Sequence, residues 1–581
     1  MYLQLSGPEQ RFRLLLLLPG DTSSDIQCQL FVSPLDCPSG FEALSYVWGD
    51  SKDTTPITFQ GQTHHVTRNL YSALRSLRYP DRERTLWVDA LCINQDDTDE
   101  RNHQVKLMGQ IYSSAKCVVA WLGKARPRDS DIIRFVTVAS DPNLHWTDLV
   151  RESHPLSLLA FLNGSWWDRV WTAVRAQNLI YQRGNLFISR ETVTSMLLNF
   201  NTHLTSCCIS VHESWGREPG FDDLMRLIRL QRELEHVRIG RYGKSFSQVI
   251  GYIRHRNATN PRDKVYGLLG MINDAQNITV DYNLLVEMAY ERSAREIITE
   301  TRNLDLFCSL FQKHGENLTR PNSKAINLPS WVLDWTRDFN TVHNRDYSTS
   351  LHLRTLSLFN ACGSRPFNAS NGNKQGSLRA SGIVFDVVEQ ISPSFMNMGK
   401  EPKAIRDWRN MAGVEKEPDK PYPSGGTILD AFWRTLSLDL SCSRKRDIIP
   451  TKRAGLEDRK IHDFFWFLSL LPLYDRPISD RFPESFQNRL EGNAFWNHIH
   501  QTAYDRRFFF SKRGYMGLAP ENVKLGDFVC VLAGGRLPFI LRSTEAVPGE
   551  INDDSEAETV CTIAVKKIDE RKESFQTFRL T

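Results

Sequence analysis

Asp50, Asp89, Asn94, Gln95 and Asp96 are the polar side chains best placed to do chemistry in this sequence. Asp50 closes the apolar run Phe41–Trp48. Asn94, Gln95 and Asp96 follow the run Leu86–Ile93, and Asp89 lies inside it. Both runs read as buried strands of a parallel sheet. A nucleotide-sized ligand on such a sheet sits outside the carboxyl ends of the strands. These five residues, with Trp171 and Arg175 from further along the chain, form the candidate pocket. An arginine there can pair with a phosphate, and a tryptophan can stack on a base or pack into the core. No residue is assigned a catalytic role.

The other reactive side chains each have a structural use that competes with a chemical one. Asp96, Asp97, Asp99 and Glu100 resemble a cation site, but a cluster just before a helix also suits the positive end of the helix dipole. His64 and His65 are adjacent in an expected strand, so their rings point to opposite faces. Cys92, between Leu91 and Ile93, reads as core. Arg506-Arg507-Phe508-Phe509-Phe510 with Lys512-Arg513 interleaves charge and rings as single-strand nucleic-acid grooves do, and as a barrel strand does. The chain has 11 cysteines, and Cys207-Cys208 is their one cluster. With no closely spaced pairs, neither a disulfide scaffold nor a metal site is expected.

Bulk properties narrow the class. The 581 residues are 41 % hydrophobic and 24 % charged, which excludes a disordered chain, a coiled coil and a fibre. A net charge of +4 makes nucleic acid an improbable partner. The longest apolar run, Leu14 to Leu18, falls far short of the roughly 20 residues needed to span a bilayer. A cytoplasmic protein with no membrane span is expected.

The elements that must position the candidate pocket follow from periodicity. Arg11–Leu18 and Ile26–Val32 read as strands, and Gln60-Gly61 as the turn of a hairpin. Leu70, Ala73, Leu74 and Leu77 fall on one face of a helix over residues 69–78. Asp97 and Glu100 have capping-box spacing ahead of Val105, Met108, Ile111 and Tyr112. Cys117–Leu122 is the next strand. Strand alternating with helix predicts an α/β domain. The expected organisation is a β segment over 1–40, an α/β domain over 41–200, a mainly helical region over 201–362 and a linker or long loop over 363–377. An α+β region over 378–581 follows, with a small β-barrel-like unit around 507–570.

Several blocks, in order, resemble the HET (heterokaryon incompatibility) domain of fungi. They are Glu42-Ala-Leu-Ser-Tyr-Val-Trp-Gly-Asp50, Leu86-Trp-Val-Asp-Ala-Leu-Cys-Ile-Asn-Gln95, Glu100-Arg101 through Tyr112, and Trp121-Leu-Gly123. Asn260-Pro-Arg-Asp-Lys-Val-Tyr-Gly-Leu-Leu-Gly270 and Leu328-Pro-Ser-Trp331 look like regions that follow that domain. The resemblance implies a TIR-like, flavodoxin-like fold. It also implies a role in non-self recognition and programmed cell death, a form of innate immunity. The implied partners are other incompatibility or immune proteins, with self-association of the TIR-like domain. Some TIR domains cleave NAD, using a glutamate four residues after a tryptophan to stabilise an oxocarbenium-like state. Here Arg169-Val-Trp-Thr-Ala-Val-Arg175 puts a guanidinium at that position. A fixed positive charge opposes a developing cation. The expectation is therefore no cofactor and a protein that works by contacts, with NAD binding or hydrolysis as the alternative.

Overall fold

The structure is a computed structural model. It describes residues 2–5, 10–21, 23–36, 40–149, 158, 161–162, 164–172, 178–204, 207–208, 211, 224–225, 228, 231, 235, 245–253, 256–274, 277–309, 326–336, 355–369, 375–395, 401–441, 452–469, 498–499, 502–503, 506–543, 555–562 and 576–580. The chain forms two compact units. One holds Met1–Ser245 and Tyr252–Leu285, the other Phe246–Gly251 and Val286–Thr581.

The first unit is built on a nine-stranded sheet. Its strands are β1 (Arg11–Leu17), β2 (Gln27–Pro34), β3 (Glu42–Tyr46), β4 (Thr54–Phe59), β5 (Gln62–Thr67), β6 (Arg84–Trp87), β7 (Cys117–Trp121), β8 (Leu179–Arg183) and β9 (Leu186–Ser189), in the order β5-β4-β2-β1-β6-β3-β7-β8-β9. The sheet is mixed, not wholly parallel. β6, β3, β7 and β8 form a parallel block. β1 lies antiparallel to both β2 and β6, so strands from the first forty residues complete the same sheet.

Local signals account for much of this unit. Gln60 and Gly61 both take positive φ, at 50° and 73°, which is the twist a two-residue hairpin needs. Helix α1 (Arg68–Leu77) starts where the Thr67 hydroxyl accepts Leu70 N–H, and it buries Leu70, Ala73, Leu74 and Leu77. The run Leu86–Ile93 departs from the expected strand. β6 stops at Trp87, and Asp89–Cys92 form a helical turn, α2, with Cys92 N–H bonded to Val88 C=O at 2.7 Å. A short apolar run is equally buried as strand or as helix, so periodicity cannot separate the two. Helix α3 (Thr98–Ser114) is capped by Asp97, whose carboxylate accepts Glu100 N–H at 3.0 Å.

Glu100 does not complete the box by reaching back to its own cap. Its two oxygens take Arg13 Nη1 and Nη2 at 2.6 and 2.8 Å, and it also accepts Asn94 N–H at 2.7 Å. Arg13 is 1 % exposed and also donates to Cys92 C=O at 3.2 Å and to Leu3 C=O at 2.8 Å. One guanidinium thus joins β1, the N-terminal strand lead, α2 and the start of α3. Further on, Gly109 of α3 faces Gly270. A Cβ on Gly109 would sit 2.6 Å from the Gly270 Cα, so only glycine allows that approach.

The region 201–362, expected to be mainly helical, is described only in part. Its described helices include Phe246–Ile253, Asp263–Tyr266 and Val286–Thr301, and the stretch is divided between the two units. Residues 212–223, 310–325 and 337–354 lie outside the described residues.

The second unit holds a seven-stranded, mostly antiparallel sheet over the region where a small barrel-like unit is expected, and its last strand in the chain returns to pair with its first. It runs from β10 (Leu378–Ser394) through β11 (Arg506–Ser511), β12 (Met516–Pro520), β13 (Phe528–Leu532), β14 (Phe539–Ser543) and β15 (Ser555–Thr562) to β16 (Gln576–Leu580). β10 is long enough to pair with β11, β13 and β16. The basic-aromatic stretch is β11. Its Phe508 and Phe509 are fully buried, and Phe508 stacks on Trp408 with centroids 5.8 Å apart. Those rings are spent on the core and present no face to a nucleic-acid base.

Replacing Glu100 with alanine leaves the Arg13 guanidinium buried without its carboxylate. Full-length protein carrying Glu100→Ala is expected to lose about 3–5 kcal/mol in urea unfolding. A loss under about 1 kcal/mol, the range of a surface pair, would show that this pair does not hold the unit together.

Candidate functional site

The site lies where the parallel block ends. Beyond β3 the chain continues through Val47, Trp48 and Gly49, and beyond β6 it turns at once into α2. Asp89, the first residue of α2, therefore comes beside the end of β3. Its carboxylate accepts Trp48 Nε1–H at 2.8 Å, Ala90 N–H at 2.8 Å and the Tyr46 hydroxyl. The helical turn explains this position. Inside a strand, Asp89 would have pointed to one face of the sheet; at the start of a helix it crowns the strand ends.

Two further elements complete the site. Arg169, in the turn before Trp171, donates from Nη1 to Tyr46 C=O at 3.1 Å. The segment after Asn257 pairs with this turn, Val170 N–H bonding to Asn257 C=O at 3.0 Å. That pairing brings in helix Asp263–Tyr266. Asp263 accepts the Tyr282 hydroxyl at 2.5 Å and the Trp171 indole N–H. Arg101, on α3, lies 4.4 Å over the Tyr282 ring. Gly267 packs so closely on Val170 that a Cβ there would lie 2.4 Å from its side chain.

Burial raises both carboxylates above their ordinary pKa. Hydrogen bonds act against that rise. For Asp89 they come from Trp48, Ala90 and Tyr46; for Asp263 from Tyr282 and Trp171. The positive charge of Arg169 lowers both acids. Tyr46, Tyr112 and Tyr282 are pushed well above the ordinary phenol value, chiefly by burial and also by these two acids. At neutral pH the phenols are therefore donors. Two acids, one arginine and a set of aromatic donors face one another, with Trp48 exposed by 38 % at the rim.

Of the seven residues expected in the pocket, Asp89, Gln95 and Trp171 belong to this constellation. Gln95 Nε2 donates to Asp89 C=O at 3.0 Å. Asn94 and Asp96 serve the loop into α3, with Asp96 N–H directed to Asn94 Oδ1 at 3.4 Å. Asp50 closes its own turn by accepting Lys52 N–H at 2.9 Å. Arg175 lies outside the described residues. Tyr46, Trp48, Arg169 and Asp263 were not singled out in the sequence. Asp263 stands within the quoted block Asn260–Gly270, and an acid beside Pro-Arg in such a block was the available signal.

The family described as Heterokaryon incompatibility protein (HET) matches residues 41–174, and the Het-6 beta-barrel domain matches residues 483–555. Heterokaryon incompatibility protein 6, OR allele, of Neurospora crassa is 24 % identical, over 94 % of this chain and 92 % of its own length. Residues 41–174 thus match the HET domain, and the chain is similar over most of its length to a fungal heterokaryon incompatibility protein. No solved structure matches it at a significant level. The HET-matched range supplies Tyr46, Trp48, Asp89 and Arg169, whereas Asp263 and Tyr282 lie beyond it in the same compact unit. The site of this HET domain is therefore finished by residues that follow the domain. No described helix is long and apolar enough to cross a membrane.

The raised acids give the site a pH signature. Folding takes up protons above the ordinary aspartate value of 3.8, because the native acids hold theirs more tightly. The stability these two acids contribute is full below that value and falls as pH rises through the window up to the native pKa values. Asp89→Asn and Asp263→Asn remove one titrating group each. Denaturant midpoints measured from about pH 4 to about pH 7 should decline less steeply in each variant than in the parent. Parallel curves for parent and variants would show that neither acid is raised.

Proposed function

We propose that this protein acts as a heterokaryon incompatibility protein in fungal non-self recognition, a signalling or effector module working through protein contacts and leading to growth arrest or cell death. The observation that carries this reading is how the two site carboxylates are used. Asp89 accepts three hydrogen bonds from its own chain and Asp263 accepts two, from Tyr282 and Trp171. These acids hold Trp48, Tyr46, Trp171 and Tyr282 in place, so the site presents a fixed aromatic rim. The name of the Neurospora relative supports the same assignment. Other incompatibility or immune proteins, and a second copy of the domain, are the proposed partners.

The TIR-like reading of the domain draws support from the parallel block. Counted in chain order, its strands lie second, first, third, fourth, and that is the start of the flavodoxin-like order. The crevice such an order creates falls between β3 and β7, the strand ends nearest Trp48. NAD hydrolysis in that crevice is the alternative activity, and Arg175 at the position expected for glutamate opposes it.

Expression of the full chain in a filamentous fungal host should slow growth, and Asp89→Ala should restore it at equal soluble protein. Unchanged growth with verified soluble parent protein would remove the effector reading. The purified chain, concentrated and given NAD, should leave it intact. Turnover by the parent would replace contact signalling with hydrolysis. Turnover by Arg175→Glu alone would place a nucleotide pocket in this copy without its catalytic acid.

A further inference from the structure

Cys207 and Cys208 were set aside in the sequence because no second cysteine pair accompanies them. In the folded first unit they meet two histidines. One ligand atom each from His145, His203, Cys207 and Cys208 lies within 4.8 Å of all the others. The thiols are not joined in a disulfide, and their sulfurs are 3.9 Å apart. His203 Nδ1 is 3.1 Å from Cys207 Sγ and 3.8 Å from Cys208 Sγ, and His145 Nδ1 is 3.5 Å from Cys208 Sγ. A tetrahedral zinc ion with Zn–S of about 2.3 Å and Zn–N of about 2.0–2.1 Å sets S···S near 3.8 Å and S···N near 3.5 Å. The four distances just given are close to those separations, and the other two pairs of ligand atoms lie within 4.8 Å.

The surroundings orient the set. His203 Nε2 lies 3.1 Å from Pro142 C=O. A carbonyl only accepts, so Nε2 carries the proton and Nδ1 turns its lone pair toward the sulfurs. Metal-bound histidines characteristically donate their second nitrogen in this way. The helix α4 (Asp129–Val138), the short helix α5 (Trp146–Leu149) and the helix α6 (Arg190–Leu204) hold the residues in place. Trp146, next to His145, packs edge-on against Phe200 of α6 with centroids 4.6 Å apart. Phe200 lies one turn before His203. Asn199 ties α6 to the end of α4 by donating to Ser140 C=O at 2.9 Å.

We infer that His145, His203, Cys207 and Cys208 bind one zinc ion. Two thiolates and two imidazoles in a tetrahedral arrangement are the donor set of zinc among the common metals. Four protein ligands leave no open position, so the ion is structural. It joins the lead into α5 to the end of α6. Both α4 and α6 pack on β9, the edge strand of the nine-stranded sheet, so the ion pins the helical cover of that edge.

Metal analysis of the full-length protein, purified under reducing conditions and dialysed against metal-free buffer, should find about one zinc per chain. Cobalt exchanged for zinc should give visible ligand-field bands with sulfur-to-cobalt charge transfer, and Cys208→Ser, which leaves one of the two thiolates, should cut the charge-transfer intensity by about half or more. His145 is exposed, so His145→Gln tests the site without opening the core. It should lower zinc retention against a chelator by about tenfold or more, with unchanged circular dichroism. Three results would overturn the assignment. One is a reduced, folded parent chain holding neither zinc nor spectroscopically visible cobalt. Another is metal content indifferent to both His145→Gln and Cys208→Ser. The third is an intact mass showing a native disulfide between Cys207 and Cys208, which uses both sulfurs.

Discussion

The first unit depends on a guanidinium that has no access to water. Arg13 sits inside the sheet on β1, and burying its charge is tolerable only because Glu100 meets it with both oxygens. The Cys92 and Leu3 carbonyls take further donors, and Tyr2 lies against its face, 4.9 Å from the guanidinium carbon. The arrangement has a geometric consequence. The chain between β6 and α3 must fold so that Cys92 C=O and Glu100 both converge on one point of β1. An extended path through Ile93 would carry Cys92 away from it. The helical turn Asp89–Cys92 satisfies the convergence, and the same turn lifts Asp89 onto the strand ends. The position of the candidate site is thus set by an ion pair in which no site residue takes part.

A second constraint is the contact of α3 with the segment around Gly270. Two glycines facing each other allow backbones to meet at a distance that one methyl group would forbid. That contact, with the pairing of Arg169 to Asn257, holds Asp263 and Tyr282 against the strand ends. The segment Asn260–Gly270 therefore belongs with the HET domain by packing, although it lies outside the range the family match covers. Cutting the chain near residue 200 would remove one of the two acids and leave the Trp171 indole without its partner.

What could be read from residues alone follows a simple division. The hairpin at Gln60-Gly61, helix α1 and the Asp97 cap are local: each is decided by residues within a few positions of one another, and each is found as expected. The run Leu86–Ile93 was legible as buried but not as a strand ending in a helical turn, because the deciding partner, Arg13, lies on another strand. Of the residues expected beside Asp89, Gln95 bonds its backbone carbonyl and Trp171 reaches the second acid, Asp263. Asp263 was beyond reach, because nothing in its own neighbourhood reports that the Asn257 segment pairs with Arg169. The mixed character of the sheet was hidden for the same reason, since strand direction is fixed by where β1 inserts.

The histidine and cysteine cluster carries this point furthest. Spacing rules for zinc detect ligands that are neighbours in sequence, and a lone vicinal pair fails them. Yet the pair needs only two imidazoles delivered by tertiary packing. Trp146 against Phe200 delivers both at once, because each ring is anchored within a turn of one histidine. The same packing that fills the core beside β9 therefore arranges four ligand atoms at metal-binding separations. With no ion between them, two thiols and two imidazoles would meet at contact distance with only weak hydrogen bonds in return. One zinc ion turns that crowding into four strong bonds, so the packing and the donor chemistry support the same assignment.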